Sequence, residues 1–150
     1  MYNIPSLLPH SKEMVLVDNV LEVNETHIIT ISQVRENNSF LLDGVLPTYC
    51  LIEIMAQSLG VWRGLSDTKS GNKLGFVLGT RGFKIYRPLI SVGECIYTKV
   101  VISTQDVSGV GIYECESSDE SGNMIATAKL TALNPSQSML EQIKNGAING

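Results

Sequence analysis

A single carboxylate interrupts the most apolar segment of the chain. This segment runs from Pro47 to Gly64 and carries Glu53, whose one polar companion at helical spacing is Gln57, one turn further on. Apolar residues on nearly every side are typical of a helix that is buried all round. Burial of an unpaired carboxylate is costly and favours its protonated form, which is the form that a general acid needs. Glu53 is therefore the first candidate for a catalytic residue.

Structural interpretations of the same two residues stay open. Glu53 could be a buried acid that is satisfied by Gln57 and a backbone amide, or a residue that faces solvent at the edge of the helix. Considered without Glu53, Gln57 is better interpreted as a glutamine that hydrogen-bonds another polar group inside the protein. Its functional interpretation depends on Glu53.

The remaining residues with reactive side chains do not form a metal or redox site. Three cysteines, Cys50, Cys95 and Cys115, are far apart and lack Cys-x-x-Cys spacing, which predicts reduced and mostly buried thiols. With only His10 and His27 in the chain, a histidine-rich metal centre is not expected. We predict no metal and no bound cofactor.

Length and charge indicate one ordinary domain. The chain has 150 residues, and we predict a domain over residues 1–134 and a weakly helical or disordered tail over 135–150. The net charge is −4 and the eleven Lys and Arg residues are scattered, so no basic stripe exists for nucleic acid. Nucleic acid is therefore not an expected partner. No segment approaches the roughly 20 apolar residues that span a bilayer, so a membrane is not an expected partner either, and a cytoplasmic location is predicted.

The pattern along the chain predicts an α+β protein. One helix is expected over 47–64, and β-branched or alternating runs predict strands at 14–20, 27–34, 74–86, 94–104, 110–117 and 123–133. In the last run one face is expected to carry Met124, Ala126, Ala128, Leu130 and Ala132. The architecture that accommodates these elements is an antiparallel sheet wrapped around one long central helix, closed at its edge by a second copy to form a dimer.

Several strings in a fixed order resemble one known family. The chain is similar to the β-hydroxyacyl-acyl-carrier-protein dehydratases of bacterial fatty-acid synthesis, and more closely to their relatives from aryl-polyene pigment clusters, all of the hot-dog fold. The strings are Leu8-Pro9-His10, Met14-Val15-Leu16-Val17-Asp18-Asn19-Val20, Glu53-Ile54-Met55-Ala56-Gln57, Gly75-Phe76-Val77-Leu78-Gly79, Phe83-Lys84, Arg87-Pro88 and Gly93-Glu94.

The resemblance implies roles for residues around the helix. Glu53 matches the family's general acid, and Gln57 matches the glutamine that orients it. Thr48 and Tyr49 match the residues whose backbone amides bind the thioester oxygen, a role that suits free amides at a helix start. The implied substrate is an acyl group on the phosphopantetheine of acyl-carrier protein or coenzyme A, and Arg81 and Lys84 could meet its phosphate or simply be solvated.

The family's proton-abstracting histidine has no counterpart. Where the family has a His-Phe-Pro-Gly loop, this chain has a shorter stretch without histidine, Leu41-Leu42-Asp43-Gly44-Val45-Leu46-Pro47-Thr48. His10 and His27 lie elsewhere in the sequence, and His10 is more typical of a structural residue. Asp43 and Gly44 are candidates for substrate contact, with Asp43 as a possible replacement base, although Asp-Gly is also an ordinary turn signal.

Three functions therefore compete. The first is a dehydratase-like lyase that acts on β-hydroxyacyl thioesters with Glu53 as general acid. The second is a hot-dog thioesterase in which Glu53 acts without a histidine. The third is a non-catalytic subunit that binds acyl-carrier protein, or that forms a heterodimer with a related hot-dog chain bearing the histidine. The expected assembly is thus a homodimer or such a heterodimer, with acyl-carrier protein or acyl-CoA as the other partner.

Overall fold

The structure, a computed structural model, describes residues 3–8, 14–66 and 76–133. The helices in this part of the chain are α1 (Ile4–Leu7) and α2 (Leu51–Ser66), and a 3-10 turn at Thr48–Cys50 leads into α2. The strands are β1 (Asn19–Val23), β2 (His27–Gln33), β3 (Val45–Pro47), β4 (Phe76–Ile85), β5 (Leu89–Ser91), β6 (Cys95–Gln105), β7 (Val110–Ser118) and β8 (Met124–Leu133). His10 and the predicted tail at 135–150 lie outside the described residues.

Six strands form one antiparallel sheet in the order β1-β2-β6-β7-β8-β4, and α2 packs against four of them, β2, β6, β7 and β8. This arrangement confirms the predicted sheet around one long helix. A second, two-stranded sheet pairs β3 with β5 beside the start of α2. The sequence did not predict these two short strands, nor α1.

The first predicted strand lies several residues too early. It was expected at 14–20, but ladder pairing with β2 runs over Asn19–Val23. The apolar residues that suggested an earlier start, Leu16 and Val17, are core residues instead. Their segment has no regular secondary structure, and the Leu16 amide hydrogen-bonds to a side chain of α2 rather than to a strand.

The predicted alternation in β8 is confirmed over most of its length. Ala126, Ala128, Leu130 and Ala132 are buried as expected, whereas Met124 is 37% exposed. A register shift against β7 lies at this end, where Ser117 pairs with Ala126 and Ser118 with Met124. The extra residue of this bulge is Ile125, which is fully buried in place of Met124, because a bulge interrupts the two-residue period.

Helix α2 is oriented by a buried hydroxyl. The Ser58 hydroxyl lies 2.8 Å from that of Thr30 on β2, and it also contacts the carbonyl of Ile54. With about 100° per residue, Glu53 then lies about 140° around the helix from Ser58, on the side turned away from the sheet. The expectation that α2 is buried on every side is therefore wrong, because one face of this helix is only partly covered.

Two glycines let α1 approach the other end of α2. A Cβ at Gly60 would lie 2.8 Å from Leu8 Cδ2, and one at Gly64 would lie 3.1 Å from the Leu7 carbonyl oxygen. Because backbone and side chain meet so closely here, the two glycines bring the N-terminal segment against α2. This contact holds α1 and Leu8 against the second half of α2.

Aspartates close the two hairpins that join β6 to β7 and β7 to β8. Asp106 accepts hydrogen bonds from the amides of Ser108 and Val110, and Asp119 from those of Ser121 and Asn123. These contacts favour the charged form. The hydrogen bond from the Ser108 side chain is the largest cause of the lowered pKa of Asp106, and the bond from the Asn123 backbone is the largest for Asp119.

These lowered pKa values predict acid sensitivity. The pKa of Asp119 is lower in the folded protein than in the unfolded chain. Its contribution to folding stability is therefore fully present above the unfolded pKa, near pH 4, and is lost as the pH falls through the folded pKa. Asp119→Ala should therefore lower the melting temperature at pH 7, and the difference from wild type should shrink in more acidic solution. Thermal unfolding at a series of pH values measures this. A difference that is constant down to the acid transition would contradict the charge assignment.

Within the described residues, no helix is long and apolar enough to cross a bilayer. The same residues contain no group of three or more His, Cys, Asp or Glu side chains that could hold a metal ion.

Candidate active site

Gln57 is the centre of the site and is fully buried. Its Oε1 accepts a 2.7 Å hydrogen bond from the Leu16 amide, and its Nε2 donates a 2.7 Å bond to the Met14 carbonyl. The side-chain amide thus pairs with a carbonyl and an amide that lie two residues apart, as a neighbouring strand does in an antiparallel ladder. The bonds fasten the N-terminal segment to α2.

The same Nε2 atom donates a second hydrogen bond, to Glu53 Oε1 at 3.1 Å, which is the third bond of the Gln57 side chain. The predicted contact between Glu53 and Gln57 is thus confirmed, and it takes up one oxygen of the carboxylate. Glu53 is half-buried in the single chain and shares the partly covered face of α2 with Ile52 and Ala56, while Tyr49 at the upper end of that face is 58% exposed. One oxygen of the Glu53 carboxylate is therefore held by Gln57, and the side chain lies on a face that a second molecule can cover.

The start of α2 is tied to the connection between β4 and β5. The Thr48 amide donates a 3.0 Å hydrogen bond to the Pro88 carbonyl, and the Thr48 hydroxyl donates a short one to the Arg87 carbonyl. The amide of Thr48, predicted to bind a thioester oxygen, is thus engaged by the protein's own backbone. The amide of Tyr49 is left as the candidate for that role.

Arg87 in turn is held by acidic residues. Its Nη1 lies 2.7 Å from Glu94 Oε1, and its Nη2 lies 3.9 Å from Asp119 Oδ2. The other oxygen of Glu94 accepts a 2.6 Å bond from the Ser91 amide. The Arg87-Pro88 and Gly93-Glu94 strings therefore serve to fix the backbone that fastens the helix start.

The loop in the position of the missing histidine is a tight hairpin. Leu42 and Val45 exchange both backbone hydrogen bonds around Asp43 and Gly44, whose φ angles are 52° and 81°. Two positive φ angles are the geometry of a type I′ turn, for which Asp-Gly is a favoured sequence. The Asp43 side chain is exposed at the tip. Turn formation thus accounts for this pair, and substrate contact by Asp43 or Gly44 stays a prediction.

Cys50 stands three residues before Glu53, in the turn that leads into α2. A helix N-terminus favours a thiolate, but this side chain is 7% exposed and burial raises the pKa of its thiol. Burial also raises the pKa of Cys115, to about 12. Both thiols, together with the partly buried Cys95, are free cysteines, and the charge state of the two buried ones makes them poor nucleophiles.

The other residues noted in the sequence lie apart from Glu53. His27 on β2 is bound to Glu22, with His27 Nε2 at 2.5 Å from Glu22 Oε2. Arg81 and Lys84 are exposed on β4, where they line an open groove with Lys129. Met55 is buried in the core. None of these contacts involves the Glu53 carboxylate.

The backbone partners of Gln57 were not foreseen from the sequence. Leu16 lies 41 residues and Met14 43 residues before it in the chain. Backbone groups carry no residue-specific signal, and the only available indication was a glutamine at a buried helical position, which must be satisfied by something.

A sheet wrapped around one long helix, with an oriented carboxylate near the start of that helix, defines a protein of the hot-dog class. The family model described as ApeP-like, ApeP dehydratase, matches residues 2–144 of this chain. The chain therefore belongs to the ApeP-like dehydratase family, which confirms the resemblance.

Individual relatives agree with this assignment. The 3-hydroxyacyl-[acyl-carrier-protein] dehydratase FabZ of Streptococcus uberis is 30% identical over 134 residues, covering 86% of this chain and 93% of that protein. A chain of the dehydratase heterocomplex ApeI:P from Xenorhabdus doucetiae superposes with a TM-score of 0.81 at 30% identity, covering 97% of this chain and 99% of that one. A protein from Thermus thermophilus, with a TM-score of 0.61 at 16% identity over 77% of this chain and 90% of its own, shares the fold.

Proposed function

We propose that this chain is one subunit of a dehydratase that removes water from β-hydroxyacyl thioesters, with Glu53 as the general acid and a base supplied by a related hot-dog chain. The observation that carries the proposal is the Gln57 hydrogen bond, which orients Glu53 on a partly covered face of α2. The similarity to a chain of the ApeI:P heterocomplex supports assembly with a different hot-dog subunit.

The reaction needs two groups. A base removes the proton from the carbon next to the thioester carbonyl, and the electron pair forms the new double bond as the hydroxyl on the following carbon leaves. The leaving hydroxyl takes a proton from the acid and departs as water. Glu53, once protonated, supplies that proton, and the amide of Tyr49 stabilises the negative charge on the thioester oxygen.

The missing base argues for a partner chain. The stretch that replaces the family's histidine loop holds no histidine and folds as a tight turn around Asp43 and Gly44. Strand β4 lies at one end of the sheet order, where an unpaired strand edge can bond to the edge of another sheet. Val77 and Ile85 on this strand are exposed apolar residues, as expected of a surface that a second subunit covers.

Acyl-carrier protein is the proposed carrier of the substrate. The FabZ relatives act on a 3-hydroxyacyl group of that carrier, as their name states. Arg81, Lys84 and Lys129 line one groove on the outer side of β4 and β8, beside Glu114 and Glu116. We propose that these cations attract the acidic carrier or the phosphate of its phosphopantetheine.

The proposal is tested with the chain alone and with a co-expressed hot-dog partner that bears a His-Phe-Pro-Gly loop. Each sample receives a β-hydroxyacyl-carrier-protein substrate, and the enoyl product and free thiol are both followed. We expect enoyl product from the complex only, with no thiol release above the protein-free rate. Equal turnover by the chain alone would refute the need for a partner. Thiol release that is abolished by Glu53→Ala would instead identify a thioesterase.

A further inference from the structure

Strand β4 carries two cations, and a bulge places both on one face of the sheet. Arg81 lies opposite Lys129 on β8. Lys84 lies opposite Thr127, so three steps along β4 match two steps along β8. Opposed residues share a face, whereas residues three apart in a regular strand point to opposite faces. The extra residue is accommodated at Gly82, whose φ is 62°. Because Lys129 and Thr127 alternate with buried residues of β8, both cations lie on the outer face, which is the face turned away from α2.

The positive charge at this edge is not balanced within the described part of the chain. Glu114 on β7, Lys129 on β8 and Arg81 on β4 oppose one another in one row across the outer face. Lys129 lies 3.9 Å from Glu114, whereas neither Arg81 nor Lys84 forms an ion pair with another described residue. On its free side, β4 pairs with no described strand. A carboxylate on a strand added at this free edge would lie opposite Arg81 and would complete the row of alternating charges.

A second copy of the chain is a poor occupant of this edge. Two copies that join by the same edge about a two-fold axis pair their β4 strands antiparallel. Arg81 lies at the middle of the ten-residue strand, so the two registers nearest to full overlap place it directly opposite the same residue of the other copy or two residues away. Strand β4 contains no Asp or Glu that could offset the repulsion. The cations of such a homodimer would therefore repel one another across the joined edge.

We infer that the free edge of β4 favours a partner strand that carries a carboxylate opposite Arg81 and disfavours a second copy of this chain. Val77 and Ile85 lie opposite buried residues of β8 and are themselves exposed, so they offer apolar area to any strand that pairs here. The cations decide between partners, because opposed charges on adjacent strands are favourable when they differ in sign and unfavourable when they match. This selection rests on the proposed two-chain function, for which it names the chemistry of the partner's edge.

The test uses the full chain, because a charge-reversed variant has the edge that the partner is expected to have. A dye-labelled wild-type tracer is sedimented at low salt with an excess of unlabelled wild-type chain or of the double variant Arg81→Glu/Lys84→Glu. We expect the tracer to bind the variant with a Kd about tenfold lower than that for wild type, since opposite charges replace like charges at several positions. The difference should largely vanish at about 1 M salt. Equal binding of both unlabelled chains at low salt would overturn the selection.

Two controls separate the edge from charge in general. A labelled double variant should bind unlabelled double variant as weakly as wild type binds wild type, and tight self-association of the variant would contradict the preference for unlike charges. Lys99→Glu is the matched substitution, because it reverses an exposed cation on β6, a strand whose two edges are both paired within the chain. The wild-type tracer should bind this variant no more tightly than wild type. Tight binding would mean that net charge, and not the β4 edge, governs association.

Folding of each variant is verified by circular dichroism and by its melting temperature. The single variants Arg81→Glu and Lys84→Glu replace the double variant if it is unstable, and each should show a smaller gain in the same direction. None of these measurements requires turnover or a further chain. An inactive complex would therefore refute the proposed dehydratase function without changing the sedimentation result, and equal sedimentation would refute the edge selection without changing the activity.

Discussion

Replacing Glu53 with glutamine is expected to lower the rate of water elimination by the proposed two-chain complex about 10²- to 10⁴-fold. Glutamine has the shape of the protonated acid and can still accept a hydrogen bond from Gln57, but it cannot give a proton to the leaving hydroxyl. The loss should therefore appear in kcat, with little change in substrate binding. Enoyl product formation from a β-hydroxyacyl thioester, measured as kcat and KM on the complex, checks this.

The matched control for this substitution is Glu36→Gln. It removes the same charge from an exposed carboxylate in the turn that follows β2, outside the site and the groove. That variant should keep the wild-type rate, and both variants should unfold at nearly the wild-type temperature, because Glu53 is only half-buried in the single chain. A Glu53→Gln complex that retains the full rate would show that another group protonates the leaving hydroxyl.

The main helix and strands could be predicted because the pattern of apolar residues along each of them is strong. The apolar run of α2 and the alternation of β8 each carry their own signal over ten residues or more. Prediction failed where tertiary contacts decided the outcome. The apolar residues Leu16 and Val17 suggested a strand, but their side chains pack in the core and the Leu16 amide bonds to the Gln57 side chain. The bulge at Ile125 shifted the inward face by one residue, which no local pattern announced.

The candidate site divides in the same way. Glu53 and Gln57 could be paired from the sequence because residues four apart stack on a helix. The hydrogen bond from the Thr48 amide to the Pro88 carbonyl could not be predicted, because a contact across 40 residues depends on where β5 lies relative to the helix start. The partial exposure of Glu53 likewise follows from the orientation that Ser58 and Thr30 impose on α2. Helical spacing identifies neighbours, but only packing determines which face is covered.

The Gln57 side chain is expected to be the most sensitive position for stability. Gln57→Leu keeps the approximate volume but leaves the buried Leu16 amide and the part-buried Met14 carbonyl without their partner, and an unsatisfied buried group costs about 1–3 kcal/mol. We expect the free energy of unfolding to fall by about 2–4 kcal/mol in total. Urea titration measures this change. Gln57→Glu, which keeps an oxygen for the Leu16 amide but places a second carboxylate beside Glu53, should lose less stability near pH 4 than at pH 7.

The same substitution separates positioning from simple support of the fold. If Gln57 orients Glu53 for proton transfer, Gln57→Leu lowers kcat in the wild-type background but has little further effect in a Glu53→Gln background, where no proton is transferred from this position. The loss of stability should be the same in both backgrounds. Independent, additive losses of rate would mean that Gln57 acts on the reaction by some route other than Glu53. The hydrogen bond between the two side chains would then serve the fold alone, and the carboxylate would be oriented by its other contacts.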